Sequence, residues 1–180
     1  MSAVARRYAK ALFALAKEAH TLEPIADQLG RLAAVAADPT VGPVLRNPLL
    51  SPGRRRELAA ALARELALPE TASRFLGLLA EHQRLGELRA IADQFQKMLD
   101  REMGRVRVTV RTALPLDAPQ QAAIVARFSQ LTGKQVIPSV QVDADLLGGV
   151  VVEAEGKVYD GSVRAHLERL ATALSGSGSH

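Results

Sequence analysis

At 180 residues the chain suits one large domain or two small ones, and its 48% apolar content, mostly Ala, Leu and Val, is that of a folded and largely helical protein. It has no cysteine, which excludes disulfides, thiol catalysis and cysteine metal sites together and fits a reducing compartment. The pI near 9.8 suggests nucleic acid as a partner. The charges are mixed, however: residues 1–104 carry 15 basic and 12 acidic side chains, residues 105–180 carry 8 and 7, and aromatics at 3% are too few for a base-stacking platform.

A first helix is expected from about Ala3 to Ala19. Charges at Arg6, Arg7, Lys10, Lys17 and Glu18 interrupt it, so it lacks the apolar stretch of a signal peptide. No apolar run approaches about 20 residues, so nothing is expected to span a bilayer. A cytosolic chain, or one held at a membrane through a partner, is the expectation. Thr21 is placed to cap a second helix with the stripe Ile25, Leu29, Leu32 and Val35 or Ala36. Asp38-Pro39 reads as an N-cap with proline at the first helical position, opening a short piece that ends near Asn47-Pro48. Ser51-Pro52 repeats the device for a fourth helix with Leu58, Leu62 and Leu66. Arg54-Arg55-Arg56 in its first turn reads as a solvated face, where the helix dipole slightly disfavours cations. Pro69-Glu70 opens a fifth helix that stops near Gly86, and a sixth carries Leu88, Ile91, Phe95, Met98 and Leu99.

The period changes after Gly104. Val106, Val108 and Val110 alternate with Arg105, Arg107, Thr109 and Arg111, as in a half-exposed strand. Asp117-Ala118-Pro119-Gln120 is a capping-box-like start for a helix to about Leu131; Thr132-Gly133-Lys134 ends it, and Val136 to Val142 returns to strand. Val150, Val151 and Val152 have β-branched strand character, and Glu155-Gly156 supplies a hairpin turn in which Gly156 permits positive φ. Ser162 is placed to cap a last helix whose Val163, Leu167, Leu170 and Leu174 form one stripe. The fold class expected is therefore α+β, mainly α: an N-terminal six-helix bundle over residues 1–103, then a small C-terminal α+β module with a short sheet over residues 104–174. Residues 175–180, SGSGSH, read as a flexible tail.

Two helices carry more apolar surface than a surface helix needs. Val4, Tyr8, Ala11, Leu12, Leu15 and Ala19 form one face of the first, and Ala5, Ala9, Phe13 and Ala16 extend it. The arc reaches roughly 200°, where about 100° suffices. On the fifth, Ala72, Leu76, Leu79 and Ala80 form one face and Phe75, Leu78, His82 and Leu85 a neighbouring one. Either both helices are central in the bundle, or their surplus faces line an apolar groove for a partner helix, with Ala5, Ala9 and Ala16 allowing close approach.

No catalytic constellation emerges. His20, His82, His166 and His180 are scattered, with no i, i+4 pair for a metal. Gly133-Lys134 lacks the rest of a phosphate loop, and Gly148-Gly149 is not followed by a helix. Asp143-x-Asp145 lacks the rest of a calcium loop, and turn capping accounts for Asp160 and Ser162. No cofactor and no metal are expected.

Three separated segments nonetheless have a recognisable pattern. Gly149, the strand Val150 to Val152, the tetrapeptide Asp160-Gly161-Ser162-Val163 and the pair Leu167 and Leu170 resemble the C-terminal signature of the F-type ATP synthase delta subunit family, whose mitochondrial member is the oligomycin-sensitivity-conferring protein. Val4 to Phe13, VARRYAKALF, resembles the family's opening helix. Ala80 to Leu85 resembles the end of its fifth helix, although His82-Gln83 stands where the family carries an Asn-Gly-like pair. The resemblance spans roughly residues 2 to 174. It implies a non-catalytic stator adaptor, peripheral at the cytoplasmic face of a bacterial cell membrane. A groove between helices 1 and 5 would receive an alpha-subunit N-terminal helix at positions matching Tyr8, Ala9, Leu12, Phe75, Leu78, Leu79 and His82. The C-terminal module would bind the C-terminal end of the b-subunit peripheral stalk, with Val150, Val152, Leu167, Leu170 and Leu174 either contacting the stalk or forming the module's own core. Set aside the resemblance, and a generic helical protein-binding module is the next reading, followed by an RNA-binding protein.

Overall fold

Ser2 opens the first helix: its hydroxyl accepts a hydrogen bond from the Ala5 N–H at 3.3 Å. Helix α1 then runs Ala3–Glu18 in the computed structural model, which describes residues 2–162 apart from 147 and 155. Thr21 does occupy the N-cap of α2 (Leu22–Ala37) but makes no capping bond; its hydroxyl instead donates back to the Ala16 carbonyl at 3.5 Å. Asp38 and Pro39 fall one turn ahead of the third helix instead of at its N-cap and first position. Helix α3 (Val41–Leu45) has Thr40 as its N-cap with no side-chain capping bond. Asp38 Oδ1 accepts from the Thr40 N–H at 2.7 Å and the Val41 N–H at 3.1 Å in the turn that leads into it. Those two backbone donors hold the exposed Asp38 carboxyl below its ordinary pKa, outweighing the opposing effect of desolvation. Ser51 accepts from Arg54 N–H at 3.3 Å and starts α4 (Pro52–Glu65) with proline in the first turn.

The fifth helix, α5, is Glu70–Glu81, which stops short of the expected end at Gly86. A 3₁₀ turn at Leu85–Glu87 then feeds α6 (Leu88–Glu102). The early stop is made by Gln83, whose φ of +60° lies in the left-handed region. The Arg84 N–H reaches back to Leu79 O at 2.7 Å and the Gln83 N–H to Ala80 O at 3.2 Å, a Schellman closure. His20 and Ala67, at φ +54° and +48°, end α1 and α4 the same way, with Thr21 N–H on Ala16 O at 2.8 Å and Leu68 N–H on Ala63 O at 2.9 Å.

The chain divides into two units, Met1–Leu99 and Asp100–His180, each with its own core. In the first, Leu12, Leu32, Leu76, Leu79, Leu88 and Ile91 are buried, and Phe13 meets Phe95 edge-on with centroids 5.4 Å apart. The stripe expected on α4 is only half-buried at Leu58, Leu62 and Leu66, while Ala59 and Arg55 are the residues it buries. Arg55 is thus not part of a solvated face. It is 6% exposed, and its Nη2 donates to the Pro48 carbonyl at 3.0 Å. A long aliphatic stem lets an arginine sink in this way when its head finds an acceptor.

In the second unit, β1 (Arg105–Thr112) buries Val106, Val108 and Val110 on one side, as the alternation requires. Helix α7 (Ala118–Thr132) begins with a full capping box between Asp117 and Gln120 and ends at Gly133 in the left-handed conformation. It connects β1 to β2 (Gln135–Val142), which pairs parallel to β1. Strands β3 (Gly149–Ala154) and β4 (Lys157–Ser162) form an antiparallel hairpin added to the other side of β1, giving the order β2-β1-β3-β4. Pro138 is tolerated because β2 is an edge strand. Phe128 from α7 closes the core over Val108, Val110, Val136, Val152 and Ala154. Within this unit Arg107 on β1 donates from Nε and Nη2 to the largely buried Asp100 carboxylate at 2.7 and 3.4 Å. The helix expected after Ser162 lies outside the described residues.

Candidate protein-binding surfaces

The wide apolar arc of α1 splits in two. Ala5, Ala9, Leu12, Phe13 and Ala16 face the core, while Val4 and Tyr8 are half-buried and Ala11 and Leu15 are exposed, Leu15 by 59%. The alanines expected to admit a partner helix, Ala5, Ala9 and Ala16, are buried instead, so the close packing they permit is with the unit's own helices. What α1 offers outward is the stripe Val4, Tyr8, Ala11 and Leu15, which recurs at helical spacing.

Helix α5 divides similarly. Ala72, Leu76, Leu79 and Ala80 are buried, as the first of its two faces requires. Of the second face, Phe75 and Leu85 are also buried, leaving Leu78, 42% exposed, and His82 at the surface. Tyr8 and Phe75 join the two helices by an edge-on ring contact with centroids 6.4 Å apart. Of the seven positions singled out for helix binding, Tyr8, Leu78 and His82 therefore present accessible surface, while Ala9, Leu12, Phe75 and Leu79 form the floor beneath. Leu15 is the accessible apolar residue missing from that set. It belongs to the same stripe, at i+7 from Tyr8 and i+4 from Ala11.

On the second unit, Val150 is half-buried and Val152 is 5% exposed, with its side chain in the sheet core. Val152 is a packing residue and not an outward one, because it shares the inward face of β3 with Ala154 opposite α7. Leu167, Leu170 and Leu174 lie outside the described residues. The exposed apolar side chains here are Val142, Val158 and Tyr159, the last meeting Phe128 edge-on at 5.4 Å. Among the described residues, no cluster of three or more His, Asp or Glu could hold a metal, and no helix is long and apolar enough to cross a membrane.

Each of the two units has its own core and leaves apolar side chains at its surface. The family model described as ATP synthase delta (OSCP) subunit matches residues 4–174. The chain is 43% identical over 175 residues to the ATP synthase subunit delta of Anaeromyxobacter sp. (strain Fw109-5), covering 97% of this chain and 98% of that one. It is 38% identical to the ATP synthase subunit delta 1 of Syntrophotalea carbinolica over the same span and coverage. Among solved structures, a chain of the Toxoplasma gondii mitochondrial ATP synthase hexamer is similar with a TM-score of 0.72 and 25% identity, over 96% of this chain and 98% of that one. This chain belongs to the ATP synthase delta (OSCP) subunit family. It is a structural, non-catalytic stator component of an F-type ATP synthase.

Proposed function

We propose that residues 1–103 act as a six-helix bundle that receives the amphipathic N-terminal helix of an alpha subunit along α1 and α5. Residues 104–174 bind the C-terminal end of the b-subunit peripheral stalk. The chain thereby holds the catalytic head still at the cytoplasmic face of the membrane while the rotor turns, so that torque drives ATP synthesis. It contributes rigidity and two interfaces, and no bond-making. The observation that carries the reading is the outward apolar surface of α1 and α5, with Tyr8 and Phe75 in ring contact between them and Leu78 42% exposed. Helix-in-groove recognition uses such a surface: a partner helix lays an apolar face on it and removes it from water.

Titration of the full chain with an alpha-subunit N-terminal peptide tests this. Saturable binding that changes little with salt is the expected result. A steep loss of binding with salt would instead mark counterion release and favour a polyanion partner such as RNA, and absence of binding would remove the groove reading.

A further inference from the structure

A second feature of the first unit is an open cavity of about 340 Å³ lined by Arg46, Pro48, Arg55, Arg84 and Glu87 among others. Arg55 forms part of its wall, 6% exposed, with the Pro48 carbonyl as its one polar side-chain partner among the described residues. A guanidinium has five N–H donors and keeps its charge at any physiological pH. No Arg55 nitrogen is both buried and without a partner, so the donors that the Pro48 carbonyl does not take open onto the cavity. Arg46 and Arg84 make no side-chain hydrogen bond or ion pair among the described residues, and Glu87, the one carboxylate in the lining, pairs with none of the three. The cavity therefore carries a net charge of about +2. Arg46 is exposed, and its side chain passes close to two glycines. A Cβ on Gly86 would lie 2.8 Å from its Cγ, and one on Gly42 would lie 3.2 Å from its Nη2. On either side in sequence, Val44 and Leu49 are 43% and 90% exposed.

From this arrangement we propose that the cavity is the docking site for an acidic segment of another ATP synthase subunit. A carboxylate of that segment enters to meet Arg55, with Arg46 and Arg84 at the rim, and neighbouring apolar residues cover Leu49 and Val44. Charge complementarity selects the partner: a carboxylate fits the fork of a guanidinium with two parallel hydrogen bonds, and buried arginines anchor interfaces in this way. The site is separate from the α1 and α5 stripe, and it rests on the reading of the chain as a stator subunit.

The test uses the full chain and an ATP synthase complex stripped of this subunit. R46K and R84K keep the charge and supply an amine that carbodiimide couples to a carboxylate in contact. The expected result is an amide from position 46 or 84 to an Asp or Glu of another subunit, located by mass spectrometry. Reversing both rim charges, R46E with R84E, should weaken rebinding about tenfold or more and flatten its salt dependence. Amide formation confined to Glu87, or rebinding of the double variant within about twofold of wild type, would overturn the proposal. So would saturable thermal stabilisation of the isolated chain by inorganic phosphate that rebinding does not displace, since that would mark a site for free oxyanions. Failure of the wild-type chain to rebind at all would overturn the stator reading itself, and this inference with it.

Discussion

Replacing two leucines two positions apart on α5 by aspartate should produce opposite outcomes. Leu76 is fully buried. Losing a packed leucine costs about 2–5 kcal/mol, and a carboxylate placed there adds a desolvation penalty of several kcal/mol more. Set against a typical total of about 5–15 kcal/mol, Leu76→Asp should unfold the first unit. Leu78 is 42% exposed. The burial it gives up is about half of a side chain worth roughly 1.5–3 kcal/mol, so about 1 kcal/mol. Lower helix propensity adds about 0.5 kcal/mol, and a negative charge in the last turn of α5 adds about another 0.5. Leu78→Asp should thus cost about 2 kcal/mol and leave a cooperative fold, yet weaken the alpha-subunit peptide, because its charge would be buried unpaired beneath the bound helix. Urea unfolding followed by far-ultraviolet circular dichroism measures the first half, and peptide titration the second. Unfolding by both substitutions would mean that α5 is buried all round. A Leu76→Asp variant that melts within about 2 kcal/mol of wild type would refute the core assignment.

Four other outcomes follow from local geometry. Gln83→Gly should stabilise the chain by about 1 kcal/mol, read as a rise in urea midpoint, because Gln83 holds φ +60° where glycine meets no Cβ penalty. Gly30→Ala, mid-helix with open space around the new methyl, should stabilise by about 0.5–1 kcal/mol. Gly42→Ala should destabilise despite the same propensity gain, since its Cβ would sit 2.7 Å from the Ala36 carbonyl oxygen; urea melts of the two variants should move in opposite directions. Asp38 has its carboxyl pKa lowered from 3.8 by the Thr40 and Val41 N–H groups, so the stability it contributes is present above that value and lost as pH falls through the lowered one. The difference in melting temperature between wild type and Asp38→Ala should be full at neutral pH and vanish in strong acid.

What the sequence made legible was mostly local. Ser51 and Asp117 cap their helices through one hydroxyl or carboxylate and a neighbouring N–H, so three or four residues contain the whole interaction. The alternation Val106, Val108, Val110 was readable because one face of β1 is buried and the other is not. Burial around a helix was less legible, since it depends on which neighbours arrive. The arc of α1 was visible as too wide, but not that Ala9 and Leu12 would go inward and Leu15 outward. Arg55 looked like one of three solvated arginines, and only the Pro48 carbonyl approaching from the preceding loop shows why it is buried. The stop of α5 at Glu81 was hidden because Gln83 adopts a left-handed conformation usually announced by glycine. That also explains the physical demand behind an Asn-Gly-like pair at this point: the second residue must turn with positive φ.

The most direct test of the account is a bridging experiment. The catalytic head, purified without this subunit, is mixed with an immobilised soluble fragment of the b-subunit stalk, with and without the full chain. The account predicts that the head is retained on the stalk only when the chain is present, and that Leu78→Asp reduces that retention while the chain itself stays bound to the stalk. Retention of the head to the same extent without the chain, or a chain that binds one partner but never both together, would contradict it.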